Sequence, residues 1–134
     1  MALEHQATTK KIIKAFYAVY NTLGYGFAEK VYQNAMLVEL RRQQTGGVKE
    51  HPINVYYRNE LVGEFRADLL VENAVVVELK ARKELEDGHE AQLLNYLRSS
   101  TYEVGLLMNF GPKPEVMRRL YTNDRKGSMS WIQK

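Results

Sequence analysis

Residues 64–80 read Glu-Phe-Arg-Ala-Asp-Leu-Leu-Val-Glu-Asn-Ala-Val-Val-Val-Glu-Leu-Lys, and few folds accommodate such a stretch. β-Branched and apolar residues crowd both sides of an Asn-centred turn at Glu72-Asn73-Ala74, a pattern that predicts two antiparallel strands. Side chains along a strand alternate between two faces. Phe65, Ala67, Leu69 and Val71 are therefore expected on one face, continued by Val75, Val77, Leu79 and Ala81 on the neighbouring strand. That face is core. The other carries Arg66, Asp68 and Leu70, then Val76, Glu78 and Lys80. With the turn centred on Asn73, Asp68 lies across from Glu78, and two carboxylates and an ammonium converge at one end of a hairpin.

Two like charges a few ångströms apart repel, so at least one must take a proton, find an opposite charge or bind a cation. Lys80 can serve as the partner, giving a cross-strand salt bridge on a solvated sheet face. A hard divalent cation such as Mg²⁺ or Mn²⁺ can serve too, because carboxylate, backbone carbonyl and water oxygens suit it. The hairpin alone leaves both readings open.

The flanking sequence supplies the other elements. Thr8-Thr9 is placed to cap a helix in which Ile12, Ile13, Phe16, Val19, Tyr20 and Leu23 follow the spacing of a buried stripe. Lys10, Lys11 and Lys14 fall near its start and read as a solvated face. Gly24-Tyr25-Gly26 breaks that helix, and a second is expected from about residue 27 to 44. There Glu29 and Tyr32, three apart, project from one side, a turn beyond Gly26. A glycine at 26 suits a left-handed turn or a close backbone approach. Residues 48–58 alternate as a strand, and Pro52, having no amide donor, places it at an edge or a bulge. Arg58-Asn59-Glu60 turns the chain into the central hairpin, completing a three-stranded meander.

Beyond Lys80, Asp87 and Glu90 have the spacing of a capping box. The helix that follows buries Leu93, Leu94 and Leu97, and carries Gln92 and Tyr96 on one face. Residues 102–110 are an alternating apolar strand, able to lie parallel to the strand of Glu78 because a helix connects them. Residues 116–122 are a short final strand or helix, and 123–134 look frayed except for a docking Trp131-Ile132. There is no internal repeat or linker, so 134 residues make one expected domain.

Composition narrows the functions. With no cysteine there are no disulfides, thiolate zinc sites or cysteine-held clusters, which fits a cytoplasmic setting. No apolar run reaches the roughly 20 residues of a membrane span, and the N-terminus lacks the basic flank and apolar stretch of a signal peptide. His5, His51 and His89 have no zinc-binding spacing. There is no phosphate loop ending in Lys-Ser/Thr and no Gly-x-Ser-x-Gly. A net charge of +3 tolerates a polyanionic partner.

An α/β order of two helices, three antiparallel strands, a helix and a further strand, with Asp68 and Glu78-x-Lys80 on adjacent strands, resembles the PD-(D/E)XK nuclease superfamily. Gly26-x-x-Glu29-x-x-Tyr32 resembles the signature of its GxxExxY family. Gln92-x-x-x-Tyr96 is similar to the QxxxY motif of its recombination-exonuclease branch. The likeness covers roughly residues 8–122. Ala67 precedes Asp68 where the superfamily name has proline.

The resemblance implies a restriction-endonuclease-like core, a mixed sheet of four to five strands flanked by helices. It implies a metal-dependent nuclease in which Asp68, Glu78, the Leu79 carbonyl and Glu29 hold Mg²⁺ or Mn²⁺. Lys80 orients the attacking water or stabilises the phosphorane. Gln92 and Tyr96 face the substrate, with Gly26 and Tyr32 supporting the site; Arg66, on the acidic face, is placed either to contact a phosphate of the substrate or to pair with a carboxylate. The implied partner is nucleic acid, DNA before RNA, with a homo-oligomer or a larger DNA-processing assembly as possible settings. A catalytically inactive nucleic-acid-binding or assembly subunit of the same fold is the alternative.

Overall fold

The computed structural model describes residues 5–132, so most of the N-terminal stretch weighed for a signal peptide, and residues 133–134, lie outside the described residues. The order is α1 (Gln6–Leu23), α2 (Glu29–Arg42), β1 (Gly47–Tyr57), β2 (Glu60–Val71), β3 (Val75–Lys80), α3 (Asp87–Ser99), β4 (Val104–Phe110) and β5 (Pro114–Leu120), followed by 3₁₀ turns at Asn123–Arg125 and Ser130–Ile132. One mixed sheet runs β1-β2-β3-β4-β5 in space. All neighbours are antiparallel except β3 and β4, which the α3 crossover makes parallel. This is the restriction-endonuclease-like α/β arrangement. Pro52 sits on edge strand β1, where its missing donor is tolerated.

The sheet is covered on both faces. On one, Ile12, Phe16 and Val19 of α1 and Tyr32, Met36 and Leu40 of α2 pack on Leu69, Val71, Val77, Leu79, Leu106 and Phe110. On the other, Leu93, Tyr96 and Leu97 of α3 pack on Ala67, Leu70, Val76 and Leu107. Strands β3 and β4, at the centre of the sheet, are accordingly apolar on both sides. Two tight turns have paired left-handed residues, Arg58-Asn59 and Glu72-Asn73, the conformation that matches strand twist in a hairpin.

Four local expectations need correction. Phe65 and Ala67 pack with the α3-side cluster while Leu69 and Val71 pack with the α1/α2 side, so the single expected face splits at Asp68. α1 starts at Gln6, two residues before the expected Thr8-Thr9 cap; His5 is left-handed and its carbonyl accepts the Thr9 N–H at 2.9 Å. The capping box of α3 is Glu86 with His89, not Asp87 with Glu90, and His89 Nδ1 accepts the Glu86 N–H at 3.0 Å. Residues 123–132 are docked rather than frayed. Lys126 is buried, its Nζ donating to the Ser100 and Tyr102 carbonyls, both at 2.8 Å, and Arg98 lies 5.0 Å from the Trp131 ring centroid.

Candidate active site

The β2–β3 ladder runs through Val71/Val75, Leu70/Val76 and Leu69/Val77, a register that extrapolates to Asp68 opposite Glu78. Pairing stops there and side chains take over. Glu78 Oε1 accepts the Asp68 N–H at 2.9 Å, and Asp68 Oδ2 accepts the Leu79 N–H at 2.8 Å. Each acid thus satisfies a backbone amide that the diverging strands abandon. Because the Leu79 N–H points to β2, its carbonyl points the same way, towards the gap.

Glu78 is 2% exposed. Burial first, and then the charge of Asp68, push its carboxyl up to about 8. Asp68 is raised as well, by burial; the Leu79 amide and Lys80 oppose the rise, and Glu29 and Glu50 add to it. The pair therefore titrates as a unit that retains a proton near neutrality unless a cation replaces it. A solvated cross-strand salt bridge is not what forms. Lys80 Nζ turns instead to Gln92 Oε1 of α3, at 3.0 Å.

Glu29 arrives from the first turn of α2, where the helix dipole favours an acid. What places it is the preceding turn. The Tyr32 hydroxyl donates to the Gly24 carbonyl at 2.6 Å and accepts the Phe27 N–H at 3.1 Å, while its buried ring stacks on Phe110 with centroids 4.0 Å apart. Gly26 supplies φ +125° with nothing near where a Cβ would lie, so the need is conformational rather than steric. Glu29, Lys30, Gln33, Glu50, Asp68 and Leu79 line a cleft of about 180 Å³.

Sequence reasoning missed Glu50 and Gln33. Glu50 lies between the ladder pairs Lys49/Leu69 and His51/Ala67, hence beside Asp68, in a left-handed conformation (φ 58°) unusual within a strand. The buried Gln33 Nε2 donates to its carboxylate at 2.8 Å and to the Asp68 carbonyl at 3.0 Å. Gln33 is one helical turn beyond Glu29, a spacing visible in the sequence. Glu50 was hidden by a one-residue register shift at Val55/Tyr56.

Tyr96 is buried near the acids. Burial, then Glu78 and Asp68, raise its phenol to about 12, while a hydrogen bond with Gln92 opposes the rise, so it serves as a neutral hydroxyl. Arg66 is exposed and donates to the Glu50 carbonyl at 3.3 Å rather than to a carboxylate. A larger cavity, about 400 Å³, opens beside Gly47, His51, Leu70 and Asn73 and carries none of the sequence-predicted residues.

Among the described residues no group of three or more His, Cys, Asp or Glu stands at metal-ligand spacing. A closed protein cage is therefore absent from them. Mg²⁺ is ordinarily held by one or two carboxylates, with water and substrate phosphate oxygens completing the shell. An acid pair in which the charge of Asp68 raises the buried Glu78, with the Leu79 backbone lining the same cleft, is a donor set of that open kind.

The sequence profile described as the PD-(D/E)XK nuclease superfamily matches residues 6–120. The chain belongs to this superfamily. No curated protein matches it. Among solved structures, the crystal structure of SSO0001 superposes with a TM-score of 0.55 at 16% identity, covering 92% of this chain. The chain spans 63% of the length of that protein, and at this identity the likeness shows a shared fold. Nuclease chemistry and a nucleic-acid partner are what membership of the PD-(D/E)XK superfamily suggests for the chain.

Proposed function

We propose that the protein is a metal-dependent nuclease of the GxxExxY type that hydrolyses phosphodiester bonds in DNA. The single observation that carries this reading is the reciprocal Asp68–Glu78 arrangement, two acids interlocked across the end of a hairpin with both carboxyls raised. The charge of Asp68 raises Glu78, and a bound cation would relieve that repulsion. Asp68, Glu78 and the Leu79 carbonyl would hold Mg²⁺ or Mn²⁺, with Glu29 joining directly or through water. When bound, such an ion lowers the pKa of water and neutralises charge developing on phosphorus.

The chain's own groups do the rest. Lys80, fixed by Gln92, points a cation at the place where phosphoryl charge grows. Gln92 and the neutral Tyr96 hydroxyl hydrogen-bond substrate oxygens and orient the scissile group. Gln33 keeps Glu50 beside Asp68, adding negative potential that favours a cation in the cleft.

Calorimetry with Mn²⁺ on wild type and Asp68→Ala tests the cation site, and binding is expected to vanish in the variant. Incubation with single-stranded, double-stranded and branched DNA and with RNA, in Mg²⁺ or Mn²⁺, tests the activity beside Lys80→Ala. Cleavage is expected from wild type alone. Cleavage that survives in Lys80→Ala overturns the assignment, and cation binding without cleavage of any substrate favours the inactive assembly subunit.

A further inference from the structure

Strand β4 is apolar along its length except at Asn109, which is wholly buried and in register with Lys80 of β3. An amide buried at the centre of a sheet costs free energy unless its polar atoms are paired, and here they are. Asn109 Oδ1 accepts the Arg82 N–H at 2.9 Å, while Nδ2 donates to the Arg82 carbonyl at 3.0 Å and to Glu115 Oε1 at 2.9 Å. Arg82 lies beyond the end of β3, so a side chain stands where a strand partner would. Because Arg82 presents both a donor and an acceptor, one orientation of the amide satisfies it.

The same carboxylate oxygen, Glu115 Oε1, accepts the Leu85 N–H at 3.3 Å. The connection from β3 to α3 is thus pinned near both ends, Arg82 by Asn109 and Leu85 by Glu115, and the two pins are bonded to each other. A Cβ at Gly111 would meet the Arg82 carbonyl at 2.5 Å and Asn109 Nδ2 at 2.8 Å, so only glycine lets the loop after β4 lie on this clamp. Lys80 and Gln92 stand on either side of the pinned connection, and their side chains meet at 3.0 Å. A bond between a strand and a helix persists only while the two elements keep one separation, and this connection is what joins them. The charge of Lys80 acts on both Asp68 and Glu78, so a shift of the strand end moves the cation relative to the acids.

We propose that Asn109 and Glu115 are positioning residues, acting through the β3–α3 connection to hold Lys80 on Gln92 beside the acid pair. What Lys80 does there rests on the nuclease reading above; where it is held does not. A polar pair that served stability alone would lower the melting temperature on removal and leave the Lys80–Gln92 bond as it is.

The test follows the Gln92 side-chain amide by nitrogen–proton NMR in chelator, with Lys80→Ala marking where the signal lies once the bond is lost. In Asn109→Ala and in Glu115→Ala the signal is expected to move most of the way to that mark. Glu115→Gln, which keeps an acceptor for Leu85 and Asn109, should return it to the wild-type position. DNA cleavage in Mg²⁺ should show kcat lowered about tenfold with KM within about twofold of wild type, as for a misplaced group that acts in the transition state. In a Gln92→Ala background the Asn109 substitution should add little, since both act on one contact. If Asn109→Ala loses its cooperative melting transition, Glu115→Ala, half-buried on edge strand β5, carries the same expectation. A Gln92 signal at its wild-type position in the folded variants overturns the proposal whatever their melting temperatures, and a signal that moves while kcat does not overturns the role in cleavage. Wild type that cleaves no substrate overturns the nuclease reading, and the Gln92 signal then still decides whether the clamp holds Lys80.

Discussion

Glu78 shows most clearly what one residue contributes. Its carboxyl, ordinarily at 4.5, is raised to about 8 by burial and by Asp68. The folded state therefore binds more protons than the unfolded state between those values. Stability then falls as pH rises through that window, being greatest below the unfolded pKa and lowest above the folded one. In chelator, the melting temperature of wild type is expected to drop between pH 5 and pH 8. The total penalty amounts to a few kcal/mol at most, from about 1.4 kcal/mol per pKa unit. Glu78→Gln, which mimics the protonated acid, should flatten the dependence, and added Mn²⁺ should restore stability most at the alkaline end. A wild-type melting temperature that climbs with pH over this range would show that the acid is not held in its protonated form.

At the scale of the element, α2 delivers Glu29 and Gln33 to the cleft from a turn whose geometry depends on Tyr32. Tyr32→Phe keeps the stack on Phe110 but strips the bonds to Gly24 and Phe27. The expected loss is about 1–2 kcal/mol, since two backbone groups lose their partner. Urea denaturation should show a lower midpoint with an unchanged slope. Mn²⁺ affinity should fall as well, because the first turn of α2 is no longer anchored. An unaltered midpoint would mean that water replaces the hydroxyl at no loss.

The same element shows what is legible in sequence. The α1 stripe, the three-stranded meander, the hairpin turn at Asn73, the α3 face bearing Gln92 and Tyr96 and the parallel β4 all follow from periodicity and turn chemistry, which are local; the face that α2 buries, Tyr32, Gln33, Met36 and Leu40, does not, since Val31 and Val38 stay exposed. Asp68, Glu78 and Lys80 were legible because they share one hairpin, whose tight turn fixes the register. The change of face at Asp68, the shift at Val55/Tyr56 and the approach of Glu50 depend on how β1 and β2 twist against two different helix layers, and no short window of residues records that. The α3 cap slipped by one because a histidine ring nitrogen can do what a glutamate does in a capping box.

At the scale of the whole molecule, helices cover both faces of the sheet, and the acid pair lies where β2 and β3 part. The chain after β5 then returns across the α3 side, held by Asn123 on Thr101 and Glu103, by Arg98 and by the buried Lys126. Lys126 is 1% exposed, and burial lowers its ammonium to about 8. Its nitrogen keeps at least two N–H donors in either protonation state, enough for the Ser100 and Tyr102 carbonyls. It also lies 5.9 Å from the Tyr121 ring centroid, on a surface that Arg98 and Arg125 share. Lys126→Met fills the same volume but leaves both carbonyls without their donor, a loss of about 1–3 kcal/mol. The loss should be local. Hydrogen exchange is expected to quicken in residues 123–132 and at the start of β4 while the amides of β3 stay protected, and the proposed Mn²⁺ binding should change little, because the bonds that hold this segment run to Arg98, Ser100, Thr101, Tyr102 and Glu103. Protection lost in β3 to the same extent would mean that the returning chain and the central sheet unfold as one unit.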